Sequence, residues 1–289
     1  LVDEIEALLT DASVSVPPRT VLPMAAGAFL FAMPGCDART AMTKLISFTP
    51  ANMGTGRPTI QGDVTVFDVA SGERPLILDG PTVTARRTAA VSALAARWLA
   101  PNLSGPMLIV GAGVQGQAHI EVFAAALGVT QFRIASRRRA TAEALAEHAR
   151  GLGLQAEVVD DADAALADCP LAATCTPASE VVLRAAPRAD AFIAAVGAFT
   201  PQMVEIDAEL CRRIAAQGRI VVDSRVAGHE AGDLLQAGLD VDAMPALADI
   251  VRAQQTARAE GGPVLFKSCG WAGWDLAAAR LAVQARAGG

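Results

Sequence analysis

The chain of 289 residues has no tyrosine, only three histidines and 4% aromatic residues, although 52% of it is hydrophobic. Its core is therefore expected to be built from aliphatic side chains and alanine in close-packed layers of helix and sheet. No charge-free apolar run reaches the length needed to span a bilayer, so no membrane partner is expected. Positive charge is also in deficit: 24 Lys and Arg against 30 Asp and Glu give a net charge of -6 and a pI near 5.1. A nucleic-acid backbone demands the opposite, and no nucleic-acid partner is expected. The cysteines Cys36, Cys169, Cys175, Cys211 and Cys269 are odd in number and nowhere spaced C-x-x-C, and His119, His148 and His229 are far apart. Neither a disulfide framework nor a metal site is expected. With no visible signal peptide or lipidation motif, the expected location is the cytoplasm.

What the chain does carry is most concentrated between Met107 and His119. A short apolar run, Met107–Val110, leads into Gly111, Gly113 and Gly116, spaced G-x-G-x-x-G, and then into a helical pattern from Val114 to Leu127. This is the dinucleotide fingerprint in its required strand-turn-helix context. Gly111 permits the tight turn, Gly113 lets backbone approach a pyrophosphate, and Gly116 lets the helix lie close to the sheet. With Val114 and Gln115 they form the expected phosphate site at a helix N-terminus, where free N–H groups and the macrodipole favour an anion.

The next strand, Gln131–Ser136, runs into Arg137, Arg138 and Arg139, with no Asp or Glu between Glu121 and Glu143. NAD sites usually place a carboxylate there for the ribose 2′-hydroxyl, whereas Arg accommodates a 2′-phosphate. Ser136 and Arg137 are thus the candidates for the adenosine phosphate, which favours NADPH (NADP), with NAD as the alternative cofactor.

Strand and helix patterns alternate from Pro106 to about Ala243, with further strands at Ala156–Val159, Leu171–Cys175, Ala191–Val196 and Arg219–Asp223. Helices are expected at Ala140–Arg150 and Asp207–Ala216. Such alternation predicts βαβ units, a parallel sheet and a Rossmann-type doubly wound α/β domain over residues 105–262. The loops Thr176–Ser179 and Gly197–Pro201 fall at its carboxyl edge, where ligands of open α/β sheets bind. Thr176 and Pro177 are cofactor-binding candidates on that ground. Residues 1–104 read instead as an antiparallel β layer, with segments near Met42–Phe48, Thr59–Asp68 and Arg74–Leu78, followed by a helix from Ala85 to about Leu99. Pro101–Pro106 is the expected junction. Residues 263–289 lie beyond the alternation and are expected to complete this first, α+β domain.

Three basic residues in the first domain stand in suggestive contexts. Lys44 interrupts the apolar strand Met42–Phe48, and inward placement would be costly without an anionic partner. Arg87 lies one turn inside a helix that Thr84 is placed to cap, where a carboxylate would meet both guanidinium and helix N–H groups. Arg19 follows Pro17 and Pro18. Spacing alone leaves each equally readable as a surface charge.

The chain resembles the ornithine cyclodeaminase/mu-crystallin family from about Val16 to Ala279. The resemblance is carried by Lys44 with Pro50–Asn52, the runs Gly72–Gly80, Thr84–Ala90 and Gly111–Gln115, Ala195–Ala198 with Glu205, and Phe266–Ser268 with Gly270 and Asp275. It implies an NAD(P)-binding Rossmann domain joined to a split substrate domain that dimerises through its β layer, hence a homodimer. It also implies that Lys44, Arg87 and Arg19 hold the α-carboxylate of a small imino- or amino-acid substrate, with Lys44 and Arg87 as the catalytic pair. Ser268 would line the pocket near the nicotinamide.

Family membership leaves several reactions open. The resemblance implies an Asp just after the strand-end glycines in true ornithine cyclodeaminases, but this chain has Gly197-Ala198-Phe199-Thr200-Pro201 and no carboxylate before Glu205. That segment is similar to the imino-acid reductase branch. Asp223, Asp233 and His229 remain open as alternative acids or bases and equally as structural residues. The expected activity is NADPH-dependent reduction of Δ1-pyrroline-2-carboxylate or Δ1-piperideine-2-carboxylate to L-proline or L-pipecolate. Ornithine cyclodeaminase, alanine dehydrogenase and a non-catalytic mu-crystallin-like binder are the alternatives.

Overall fold

The computed structural model describes residues 1–177, 179–254 and 261–288; Ala178, in the predicted Thr176–Ser179 loop, lies outside the described residues. The chain forms two compact units, Leu1–Arg87 with Trp271–Gly289, and Thr88–Gly270. The described helices are α1 (Val2–Thr10), α2 (Gly80–Leu99), α3 (Val114–Leu127), α4 (Arg139–Gly151), α5 (Ala162–Leu166), α6 (Ala208–Gln217), α7 (Gly232–Gln236), α8 (Leu247–Arg252) and α9 (Ala272–Ala287).

The first unit is built on an antiparallel sheet in simple sequence order: β1 (Thr20–Pro23), β2 (Phe29–Cys36), β3 (Thr40–Phe48), β4 (Ile60–Asp68) and β5 (Leu76–Asp79). Successive side chains of a strand face opposite sides. In β3 this buries Thr40, Met42, Lys44 and Ile46, while Leu45 is exposed. Met33, Lys44 and Val64 form one buried cross-strand row. Helix α9 packs against β2, β3 and β4, and α1 packs against α9. Arg280 stitches the two helices, with Nε 2.8 Å from Glu4 Oε1 and Nη1 3.1 Å from Asp11 Oδ2.

The second unit holds a parallel sheet of seven strands, β6 (Met107–Val110), β7 (Gln131–Ala135), β8 (Gln155–Val158), β9 (Leu171–Thr174), β11 (Phe192–Ala195), β13 (Arg219–Val222) and β14 (Val264–Lys267), ordered β13-β14-β11-β9-β6-β7-β8. A separate parallel pair joins β10 (Ser179–Leu183) to β12 (Val204–Ile206). β6, β9, β11 and β14 are buried along their whole length, as parallel strands covered on both faces require. The strand order reverses between β6 and β9, and that reversal marks the ligand crevice of a doubly wound sheet.

Three expectations need correction. Residues 263–270 do not belong with the first domain: β14 inserts between β11 and β13, where Val264, Leu265 and Phe266 bury an all-apolar run. Only α9, from Ala272, rejoins the first unit. The boundary between units also falls inside α2, at Arg87, instead of at Pro101–Pro106, because the later half of that helix buries Val91, Leu94 and Leu99 with the second unit. Finally, α2 begins at Gly80 and Asp79 Oδ2 accepts the Thr82 N–H at 2.8 Å. Thr84 therefore lies within the helix and does not cap it, and Arg87 is two turns in, beyond the reach of the helix N-terminal N–H groups.

Candidate active site

Two clusters carry the chemistry, one in each unit. In the first, Lys44 from β3 and Arg87 from α2 converge on Asp275 in the first turn of α9. Lys44 Nζ is 2.8 Å from Asp275 Oδ2, and Arg87 Nε is 3.2 Å from Asp275 Oδ1. Lys44 and Asp275 are 1% and 0% exposed. These are close ionic contacts without aligned hydrogen bonds, since Arg87 Nε and both Asp275 oxygens are buried with no hydrogen-bond partner. Burial pushes Lys44 down to about 8; the Asp275 carboxylate pulls it up, and the Arg87 and Arg19 cations lower it further. Arg19 is half-buried, with its guanidinium carbon 5.3 Å from the centre of the Phe31 ring. Lys44 and Arg87 thus flank one buried carboxylate, leaving an excess of positive charge in a largely water-free place, with the Arg19 charge near enough to lower Lys44. Such an arrangement suits a second, incoming carboxylate.

Asp275 was legible only as part of a family pattern. The signal available was the one that marked Lys44: a charged residue interrupting an apolar face, here among buried Trp274, Leu276 and Ala277.

In the second unit the fingerprint residues gather at the end of β6. Gly111 has φ +112, and a Cβ on it would lie 2.5 Å from the Cys175 carbonyl oxygen at the end of β9. A Cβ on Gly116 would collide with the Gly111 carbonyl. Gly113 is the N-cap of α3 and offers no side-chain cap, so the first-turn N–H groups are left to an anion. Val114 is exposed there, and Gln115 Oε1 is buried without a partner. These features fit a dinucleotide pyrophosphate.

At the end of β7, Ser136 Oγ lies 3.2 Å from Thr141 Oγ1. Arg137 is 76% exposed, and its contact with Glu180 is loose at 4.0 Å. Arg139 is instead engaged by Asp160 at 2.7 Å and Glu143 at 3.3 Å. Arg137 is thus the better placed of these two to accept a 2′-phosphate.

Thr176, after β9, donates through N and Oγ1 to Glu205 Oε1 at 2.7 and 2.8 Å. Pro177 is exposed beside it. Ser268, after β14, is buried and donates to Asp223 Oδ2 at 2.7 Å, which also accepts the Gly270 N–H at 2.8 Å. Asp223 therefore holds the Ser268–Gly270 loop. Asp233 is tied to Lys267, with Oδ2 2.8 Å from Nζ, and His229 is exposed. Burial lowers Lys267, but Asp233 and Glu205 outweigh it and the net shift is upward. Asp233 thus serves as a buried counter-ion.

His119, fully buried in α3, is held by the Gln115 carbonyl at 2.7 Å and Ser92 Oγ at 3.0 Å. Burial drops its pKa to about 4, so it is neutral at pH 7. Among the described residues no group of His, Cys, Asp or Glu is arranged to hold a metal ion, and no helix is long and apolar enough to cross a membrane.

The family model for the ornithine cyclodeaminase/mu-crystallin family matches residues 1–288. The chain is 38% identical over 277 residues to a Delta(1)-pyrroline-2-carboxylate reductase 2 of Burkholderia ambifaria, covering 94% of this chain and 86% of the relative. It is equally 38% identical over 277 residues to a Delta(1)-pyrroline-2-carboxylate/Delta(1)-piperideine-2-carboxylate reductase of Azospirillum brasilense, covering 94% and 85%. Among solved structures, the Delta(1)-pyrroline-2-carboxylate reductase of Thermococcus litoralis, in complex with NADH and L-proline, superposes with a TM-score of 0.90 at 25% identity, covering 98% of this chain and 91% of that one.

Proposed function

Because the chain belongs to the ornithine cyclodeaminase/mu-crystallin family, we propose that it is an NADPH-dependent reductase of Δ1-pyrroline-2-carboxylate or Δ1-piperideine-2-carboxylate, forming L-proline or L-pipecolate. The observation that carries this reading is the buried Lys44–Asp275–Arg87 cluster, whose surplus positive charge supplies what a small carboxylate needs. Two relatives at 38% identity are a Delta(1)-pyrroline-2-carboxylate reductase and a Delta(1)-pyrroline-2-carboxylate/Delta(1)-piperideine-2-carboxylate reductase, and the Thermococcus enzyme binds L-proline.

Arg87, Lys44 and Arg19 hold the substrate carboxylate and so fix the ring. Fixing a reactant in this way removes several kcal/mol of the entropic cost of meeting the reductant. When bound, reduced nicotinamide supplies the hydride that converts the imine carbon to the amine carbon. The accompanying proton sits on Lys44 Nζ, whose pKa of about 8 keeps it charged yet able to release a proton near neutral pH. Asp275 holds that charge in place. Gly113–Gly116 seat the pyrophosphate, Ser136 and Arg137 seat the 2′-phosphate, and Thr176, Pro177 and Ser268 border the remainder of the cofactor. No carboxylate occupies the segment Gly197–Pro201, and reducing a preformed cyclic imine needs none there.

The outer face of the first unit's sheet carries exposed Leu22, Leu45 and Ile77. Covering it with a second copy gives a symmetric homodimer. All five cysteines are free, which suits a cytoplasmic enzyme.

The test is NADPH oxidation with each imino acid, with chiral identification of the product. Formation of L-proline or L-pipecolate supports the reading. Ammonia release from ornithine with catalytic NAD, and no imine reduction, would overturn it.

A further inference from the structure

On the reading that this chain binds a nicotinamide dinucleotide, we propose that Glu205 is a positioning residue for the nicotinamide half of the cofactor, acting by tying the loops after β9 and β11 into one rigid edge. Glu205 lies on β12, outside the seven-stranded sheet, yet its carboxylate reaches both loops. Oε1 accepts the Thr176 N–H at 2.7 Å and the Thr176 hydroxyl at 2.8 Å. Oε2 accepts the Gly197 N–H at 2.6 Å and the Thr174 hydroxyl at 2.9 Å. Four donors from two neighbouring strand ends thus share one fully buried carboxylate.

Its own strand is fixed from behind. Asp233 Oδ1 accepts the N–H groups of Glu205 and Ile206 at 2.5 and 2.9 Å, while Oδ2 pairs with Lys267 at the end of β14. Lys267 Nζ also lies 3.4 Å from the Ala195 carbonyl on β11. The ends of β9, β11, β12 and β14 are therefore joined through Glu205, Asp233 and Lys267. Space is equally constrained, because a Cβ at Gly197 would strike both Glu205 Oε1 and the Thr176 carbonyl.

Sheet order says which half of the ligand this edge serves. In a doubly wound sheet the first three strands receive the adenosine half and the strands beyond the order reversal receive the other half. Here β6, β7 and β8 are the first three, and the Glu205 clamp joins β9 and β11 on the far side of the reversal. The fingerprint loop touches this edge at Cys175 but has its own anchor on the β7 side, with the Gly111 N–H donated to the Ala135 carbonyl.

Glu205→Gln tests the assignment because its amide cannot satisfy all four donors. Hydroxyls can rotate to accept from an NH2 group, but a backbone N–H cannot. Since Thr176 N faces one oxygen and Gly197 N faces the other, either amide orientation leaves one backbone N–H without its acceptor. Binding would be measured by titration calorimetry with two probes, NADPH and adenosine 2′,5′-bisphosphate, which lacks the nicotinamide half. The expected result is NADPH binding at least about tenfold weaker, with adenosine 2′,5′-bisphosphate unchanged within about twofold, a ratio set by the loss of one to two kcal/mol on one side of the site. Parallel weakening of both probes, or no change in either, would overturn the assignment. If Glu205→Gln does not fold, Thr174→Val removes one donor without changing side-chain shape and should give the same selectivity on a smaller scale; parallel loss there would overturn it equally. Wild-type protein that binds neither probe would instead overturn the dinucleotide reading.

Discussion

Lys44 Nζ and Asp275 Oδ2 lie 2.8 Å apart with both side chains sealed from solvent. Strand β3 brings the lysine to the inner face of its sheet, and the C-terminal helix brings the carboxylate to meet it. Burying either charge alone would cost several kcal/mol. Together with Arg87 they leave a positive surplus that an imino-acid carboxylate can neutralise.

The pH dependence follows from that pair. Lys44 is lowered to about 8, so on the proposal that it supplies the proton for imine reduction, that proton is present below pH 8 and lost above it. We expect kcat/KM for imine reduction to fall as pH rises through about 8, and proline oxidation to rise over the same range. The stability sign is separate: between about 8 and 10.5 the unfolded chain holds the Lys44 proton and the folded chain does not, so this group adds stability as pH rises. In Lys44→Met the activity break near 8 should disappear; a break that persists would assign the proton to another group.

Arg87→Ala tests the clamp. Truncation removes a charged hydrogen-bonding group worth roughly 2–3 kcal/mol and leaves Asp275 one cation poorer. A loss of about a hundredfold in kcat/KM is expected, together with an upward shift of the pH break because Arg87 no longer depresses Lys44. Undiminished activity would remove Arg87 from the site.

The sequence is legible where the rules are local. β6, the glycines and α3 are fixed by one short segment whose apolar run, turn and helical pattern agree, and β9 and β11 announce themselves as buried apolar runs. β1 was not legible, because all four of its residues are exposed and it ends in Pro23. β14 was not read as a strand of this sheet, because its place between β11 and β13 depends on which strands it meets in space, and periodicity carries no such information. The same limit hid the partners of Lys44 and Glu205. A buried charge in an apolar segment signals that a counter-charge exists, but the counter-charge of Lys44 comes from the far end of the chain.

Cofactor choice rests on Arg137. It is exposed and only loosely approached by Glu180, and the carboxylate usual in NAD sites is missing after β7. NADPH should exceed NADH in kcat/KM by about tenfold or more, the scale of one charge-assisted contact. Arg137→Ala should narrow that ratio while leaving NADH kinetics nearly unchanged. Equal use of both cofactors by the parent protein would reject the assignment.

Dimer formation can be tested at the outer sheet face. Leu45 and Ile77 are 49% and 54% exposed, and a charge on either would oppose burial against a second copy. Sedimentation should give a dimer at micromolar concentration, and Leu45→Asp should shift it toward monomer. A parent protein that sediments as a monomer would exclude this face as an interface.

The final prediction concerns acid stability and His119. Burial lowers its pKa from 6.5 to about 4, against a smaller upward pull from its hydrogen bond to Gln115. The Gln115 carbonyl can only accept, so Nδ1 carries the proton, and Nε2 faces the Ser92 hydroxyl, whose one proton is shared between Nε2 and the Thr88 carbonyl at 3.1 Å. Between pH 6.5 and 4 the unfolded chain takes up a proton here that the folded chain refuses, so stability falls as pH falls through this window and the effect is complete below about 4. The full contribution is on the order of 3 kcal/mol for a group this buried. Urea midpoints measured by tryptophan fluorescence at several pH values should fall more steeply for the parent than for His119→Gln, which has no such group to titrate. The variant should be less stable at pH 7, because its amide cannot reproduce both contacts, yet it should lose less between pH 6.5 and 4.5. Parallel midpoint curves for the two proteins would mean that His119 titrates alike in the folded and unfolded chains, and that its burial does not control the acid limb.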